Sequence, residues 1–203
     1  MSDVKNAYNQ IAEFLNNETE KTLLLCGIAD KEKHLSLLEA LNAQGNLKGL
    51  IFLIHTTRDG MAQFFRWAGL YKVKVPSTYR QAMKFSNLTI LFEKLSTRGN
   101  SSKYDYYKYN NIVFDFMIIW PIQSVLKNEE EIQLLKELAM RQKTKKIIFL
   151  TLKEPWYNPD PFKPIVDRII KLDCENDNPH EFQRVLSNFN EEVRIRNQIN
   201  NLQ

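Results

Sequence analysis

Polar residues that could bind a ligand follow two apolar runs in the first third of the sequence. These residues are Asp30, Lys31, His55, Thr57 and Arg58. Hydroxyl, ammonium, imidazole and guanidinium groups donate hydrogen bonds to phosphate or carboxylate oxygens, so the pattern predicts a ligand-binding site at two strand ends. A histidine that only caps its strand is the alternative interpretation of His55, because no acid–base partner is evident beside it.

Residues 56–110 form a basic segment within an otherwise slightly acidic chain. This segment carries ten basic and three acidic side chains, whereas the formal charge of the whole chain is +4. A basic segment is typical of proteins that bind nucleic acid or an acidic protein face, and a merely solvated surface is the alternative. The residues predicted to contact nucleic acid are Arg58, Arg66, Lys72, Lys74, Arg80, Lys84, Arg98, Lys103, Tyr106 and Tyr107.

Aromatic residues are interleaved with these cations, as in proteins that bind single-stranded nucleic acid by stacking on its bases. Tyr106 and Tyr107 lie in the polar stretch 96–110, where no core pattern requires them. An exposed edge strand or a protein-interaction surface would account for them equally well. The interleaved aromatics before this stretch are Phe64, Phe65, Trp67, Tyr71, Tyr79 and Phe85. Most of the four residues Phe64, Phe65, Trp67 and Phe85 are predicted to be core residues.

Apolar runs alternate with helical patterns along the chain, which predicts an α/β fold. The predicted strands are 22–28, 49–55, 71–75, 88–94, 112–120, 146–152 and 168–172. The predicted helices are 4–16, 31–43, 59–68, 77–85, 128–141 and 179–197. We expect one domain over residues 1–203, with a central, mostly parallel sheet of five to seven strands and helices on both faces.

The basic residues fall into pairs whose spacing suits the predicted elements. Arg58 and Arg66 are about two helical turns apart, and Lys72 and Lys74 alternate within a predicted strand. Arg80 and Lys84 are four apart on the predicted helix 77–85, so the two members of each pair are expected on the same side. If the partner is nucleic acid, all six residues are expected to share one face.

The core is predicted from the apolar positions of these elements. It comprises Leu24, Leu25, Cys26, Leu38, Leu50, Phe52, Leu53, Ile118, Ile119, Leu134, Ile148, Phe149, Leu150 and Ile169. No apolar stretch reaches the roughly 18–20 residues that span a bilayer, and no signal peptide is evident. With Cys26 and Cys174 expected as free thiols, a cytoplasmic protein without membrane contact is predicted.

Sequence signatures of catalysis are missing. The chain has no Gly-x-Ser-x-Gly motif, and its three histidines and two cysteines lack metal-ligand spacing. No catalytic residue, metal site or cofactor is therefore predicted, and an enzyme would need an unrecognised site near His55.

The order of elements resembles that of the P-loop ATPases. The strand–loop–helix unit at 22–43 corresponds to their phosphate loop, YNNIVFDFMIIWPIQSVL (109–126) to their Walker B strand, and KKIIFLTLKEP (145–155) to their sensor strand. With Gly27 as the first glycine, Lys33 falls at the position of the phosphate-contacting lysine. The resemblance implies a three-layer architecture over about residues 20–175.

This sequence departs from the family where phosphate and Mg²⁺ would be held. Glu32 replaces the second glycine, His34 replaces the Mg²⁺-binding hydroxyl residue, and Trp120-Pro121 occupies the acidic positions of Walker B. The resemblance therefore implies an ATPase-like scaffold without ATP chemistry, and an unrelated α/β sheet is the alternative.

These features together predict a non-catalytic nucleic-acid-binding accessory factor, of the kind used in the replication or transfer of a mobile element. A protein–protein adaptor or regulatory subunit that docks on an ATPase partner is the alternative. A homo-oligomer is compatible with either function.

Overall fold

In the computed structural model, the chain forms seven strands and five α-helices over the described residues. The structure describes residues 2–54, 59–95, 112–125, 129–141, 143–152 and 159–200. The helices are α1 (Asp3–Asn16), α2 (Asp30–Ala43), α3 (Gly60–Trp67), α4 (Glu129–Arg141) and α5 (Pro179–Asn200). The strands are β1 (Thr22–Cys26), β2 (Lys48–Ile54), β3 (Ala82–Phe85), β4 (Leu88–Leu95), β5 (Phe116–Trp120), β6 (Lys146–Leu150) and β7 (Arg168–Lys171).

All seven strands join one sheet, in the order β3-β4-β2-β5-β6-β1-β7. Every neighbouring pair is parallel except the hairpin of β3 and β4, which is antiparallel. The predicted fold class is confirmed, with a strand number at the upper end of the expected range. Because the parallel strands all point one way, their carboxyl ends meet along one edge of the sheet.

Side chains of the central strands alternate between two hydrophobic clusters, one on each face of the sheet. Leu23 and Leu25 of β1 pack into the cluster that also contains residues of α1, α2 and α3. Leu24 and Cys26 pack into the opposite cluster, with residues of α4. All five residues of β1 are buried, which explains why its sequence is continuously apolar rather than alternating.

The predicted core is confirmed except at two positions. Leu134 on α4 and Ile169 on β7 are only partly buried, and both pack against the second cluster. Strand β7 is the last strand of the sheet, so its side chains have a neighbouring strand on one side only.

The segment between β7 and α5 is fastened to α1. The Val4 N–H donates to Asp177 Oδ2 at 2.9 Å, and Asn176 donates from its side chain to Asp3 Oδ1 at 2.7 Å. Asn178 accepts from the Glu181 N–H at 3.1 Å and so caps α5. These contacts fix residues 176–178 and the first turn of α5.

Two predicted elements between α3 and β4 are wrong. Residues 71–75 form no strand, and residues 77–85 form no helix but contain the edge strand β3. A tight turn joins β3 to β4, with Ser86 at φ +51°. Met83 and Phe85 turn inward while Lys84 is exposed, a period of two that four residues were too few to reveal.

The strand predicted at 112–120 begins only at Phe116, and the residue before it, Asp115, directs its side chain to the first residue of β2. Asp115 Oδ2 accepts from the Lys48 N–H at 2.9 Å. Within the described residues, no helix is both long and apolar enough to cross a membrane.

Candidate functional site

The loop after β1 is closed by hydrogen bonds from within the protein. Gly27 has φ +111°, and a Cβ there would lie 2.3 Å from the Leu172 carbonyl oxygen, so only glycine fits. The Ile28 N–H donates to Asp173 Oδ1 at 3.0 Å, and the Ala29 N–H donates to the Leu172 carbonyl at 3.2 Å. Two amides of the loop are therefore engaged by the residues that directly follow β7.

Lys33 is fully buried beneath this loop. Its ammonium donates to the Gly27 carbonyl at 2.5 Å and to the Thr151 carbonyl and hydroxyl at 3.1 and 3.2 Å. The ammonium also lies 3.0 Å from Asp30 Oδ1, and both side chains of this ion pair are buried. Burial lowers the pKa of Lys33, and the neighbouring Asp30 carboxylate opposes that shift.

Asp30 thus lies beyond the carboxyl end of β1, as predicted, but its side chain faces inward and pairs with Lys33. Lys31, the next residue, is exposed and makes no ion pair with any residue that the structure describes. Its stem lies over Gly69, where a Cβ would come within 3.1 Å of Lys31 Cε. Lys31 therefore faces the end of α3.

His34 and Trp120 meet beneath the same loop. Their rings are 5.8 Å apart and nearly perpendicular, and Phe64 lies 5.4 Å from the His34 ring. His34 Nδ1 lies 2.7 Å from the Asp30 carbonyl, which can only accept, so Nδ1 carries the proton. Burial lowers the pKa of His34 to about 3. At these two positions the protein has an aromatic contact rather than oxygen ligands.

Both cysteines are free and buried near this edge. Burial raises the pKa of the Cys26 thiol to about 11 and that of the Cys174 thiol to about 12. Thiols with such pKa values are poor nucleophiles at neutral pH, so neither residue is a candidate for covalent catalysis. Among the described residues, no group of three His, Cys, Asp or Glu side chains is placed to hold a metal ion.

A cavity of about 360 Å³ lies beside the closed loop, between the start of α2, the end of α3 and the start of α5. Trp67 and Tyr71 line it, and their side chains are 39% and 77% exposed. Lys31 and Arg66 also line the cavity. The structure therefore brings Lys31 to Arg66 and the exposed aromatics, from which about 35 residues separate it in the sequence.

The carboxylates that line the cavity differ in whether they form ion pairs and hydrogen bonds within the protein. Asp173 lies 2.6 Å from Lys171 Nζ as well as holding the loop, and Glu181 lies 2.6 Å from Arg184. Glu32, in contrast, has no ion-pair or hydrogen-bond partner among the described residues. Glu32 and Cys174 both line the cavity, and the Glu32 charge contributes, after burial, to the raised pKa of that thiol.

Five of the basic residues predicted to contact nucleic acid lie within the described residues. Arg66, Lys72 and Lys74 are exposed on α3 and the chain that follows it. The helix on which Arg80 and Lys84 were expected to align does not form, and Arg80 pairs with the buried Glu93 at 2.6 Å. Lys84 lies opposite Thr89, at the amino end of β4, several strand residues away from Arg80.

Several predicted site residues lie outside the described residues. These are His55, Thr57, Arg58, Arg98, Lys103, Tyr106 and Tyr107. In the described part of the site, Trp67 and Tyr71 lie at the cavity and are exposed. Both are among the aromatics that the sequence interleaves with the cations, but Trp67 is one of the four of which most were expected in the core, and Tyr71 also lies in a predicted strand.

A comparison of the chain with models of known protein families and with curated proteins gives no match.

Proposed function

We propose that this protein is a non-catalytic nucleic-acid-binding factor built on an ATPase-like scaffold. The observation that carries the proposal is the group of exposed cations, Lys31, Arg66, Lys72 and Lys74, around exposed Trp67 and Tyr71. Residues 60–92 contain five basic side chains and no acidic one. Cations that contact phosphates together with aromatics that stack on bases are what single-stranded nucleic acid requires.

Two features support the ATPase-like part of the proposal. The strand order puts β6, the counterpart of the sensor strand, between β1 and β5, the counterparts of the phosphate-loop and Walker B strands. His34 and Trp120 are in contact. In the family, the hydroxyl and the acid at those two positions serve one Mg²⁺ ion and must also be neighbours.

The absence of catalysis is supported by the contents of the loop. Lys33 has its hydrogen bonds taken by internal oxygens, and neither His34 nor Trp120 offers the oxygen that Mg²⁺ prefers. Phosphoryl transfer depends mainly on positioned cations and donors, so their loss removes most of the rate enhancement.

Oligonucleotide binding at several salt concentrations tests the proposal. Fluorescence anisotropy of a labelled single strand should show an affinity that falls steeply as salt rises, because each neutralised phosphate releases counterions. The double variant Lys72→Glu/Lys74→Glu should weaken binding and flatten the salt slope.

The matched control is Lys5→Glu/Lys143→Glu, which makes the same change in net charge at exposed lysines away from the cavity. Equal weakening by both double variants would contradict the proposed surface. A wild-type protein that binds no oligonucleotide at low salt would contradict the function and favour a protein adaptor.

A further inference from the structure

The cavity beside the closed loop has aromatic side chains in its lining, which suit an aromatic ligand. Trp67, Tyr71, Phe182 and Val185 line a volume of about 360 Å³. That volume is at the lower end of the roughly 300–1,000 Å³ typical of small-ligand sites. An aromatic ring system the size of one base suits it better than an extended chain.

Some charged side chains around the cavity form no ion pair within the described residues, and they restrict the chemistry of the ligand further. Asp30, Asp173 and Glu181 are each held by an internal cation at 2.6–3.0 Å. Lys31 and Arg66 have no ion-pair partner among the described residues. Glu32 is the one carboxylate lining the cavity that also has no ion-pair partner there. Two free cations against one free carboxylate favour an anionic ligand that also carries a hydrogen-bond donor.

A nucleotide within a strand has both properties. Its phosphates can contact Lys31 and Arg66, and its base can stack on Trp67 or Tyr71. Carboxylates accept hydrogen bonds from exocyclic amino groups, such as N4 of cytosine, and thymine has no such group. Glu32 would therefore discriminate between bases inside the cavity.

We propose that this cavity holds one unstacked base of a bound single strand, and that Glu32 favours a base with an exocyclic amino group. The inference rests on the nucleic-acid-binding function proposed above and names the ligand of that site. The strand would leave the cavity towards the exposed Lys72 and Lys74, which follow Tyr71 in the sequence.

A single substituted nucleotide gives the sharpest test. The probes are labelled thymidine strands of about 12 nucleotides, in which one central thymidine is kept, replaced by deoxycytidine or replaced by an abasic unit. Wild-type protein should bind the deoxycytidine strand several-fold more tightly than the all-thymidine strand. The abasic strand should bind no more tightly than the all-thymidine strand.

Two variants assign the effect to the cavity. Trp67→Ala should lower the affinity for every base-bearing strand by about tenfold, because it removes a stacking surface. Glu32→Ala should abolish the preference for deoxycytidine, whereas Glu39→Ala, on the same helix and exposed, should retain it. A far-ultraviolet circular dichroism spectrum confirms that each variant is folded.

The outcomes separate this inference from the function on which it rests. If no strand binds at low salt, the proposed function itself fails. If strands bind but Trp67→Ala leaves the affinity unchanged, the base does not enter the cavity and the inference is overturned. A preference for deoxycytidine that survives Glu32→Ala would overturn the role of that carboxylate.

Discussion

Lys33 and Lys31 lie two residues apart on the first turn of α2, and their ammonium groups have opposite surroundings. Lys33 is fully buried and reaches the oxygens of Gly27, Thr151 and Asp30 at 2.5–3.2 Å. Lys31 is exposed and lies at the rim of the cavity, over Gly69. The same side chain thus serves the fold at one position and is free for a ligand at the other.

The difference shows that position in a motif does not by itself assign a role. Lys33 matches the lysine position of the P-loop pattern, yet its donors are used within the protein. Lys31 matches no motif position, yet it is the lysine near the cavity whose charge has no internal partner among the described residues. Binding is therefore expected at the outer rim of the loop rather than beneath it.

The largest expected effect comes from removing the buried ammonium. Lys33→Met leaves the Asp30 carboxylate buried without this partner and should lower the free energy of unfolding by about 3–5 kcal/mol. Lys31→Met, at an exposed position, should change it by less than about 0.5 kcal/mol. Urea unfolding of the wild type and of both variants measures these changes in the free energy of unfolding. The values are directly comparable when the slopes against urea concentration are equal.

The partner variant sharpens this result. Asp30→Asn combined with Lys33→Met should recover part of the loss, because no uncompensated charge then stays buried. If Lys33→Met cost no more than Lys31→Met, the buried ion pair would not hold the loop closed.

A smaller effect on the free energy of unfolding is expected from lowering the pH. The pKa of His34 is about 3 in the folded protein, against 6.5 in its ordinary environment, because burial disfavours the charged ring and the Lys33 charge acts in the same direction. Between those values the unfolded chain binds a proton that the folded chain does not, so stability is full above pH 6.5 and falls as pH decreases. The loss from this group at pH 5 should be about 2 kcal/mol.

The matched variant is His34→Phe, whose stability should depend less on pH between 7 and 5. His180→Ala, at an exposed histidine on α5, should keep the wild-type dependence. Equal pH dependence in wild type and His34→Phe would contradict the burial of a neutral His34.

The sequence was sufficient to predict the sheet because its central strands are buried on both faces and therefore continuously apolar. It also placed Gly27 and Lys33 on the correct loop and helix. It could not show that Asp173, 145 residues after Ile28, closes that loop, because such a contact depends on β7 lying beside β1. The hairpin of β3 and β4 was missed because its turn, Ser86-Asn87, lacks the glycine that usually marks a two-residue turn.

The most direct test of the closed loop is the effect of Mg²⁺ on ATP binding by the wild-type protein. A P-loop that works binds the triphosphate through Mg²⁺, whereas adenine bound in the outer cavity needs no metal ion. A ligand that binds only the folded state raises the midpoint of thermal unfolding. We expect that adding Mg²⁺ to saturating ATP raises that midpoint no further and releases no phosphate above the buffer rate. A Mg²⁺-dependent increase, accompanied by phosphate release, would contradict the account.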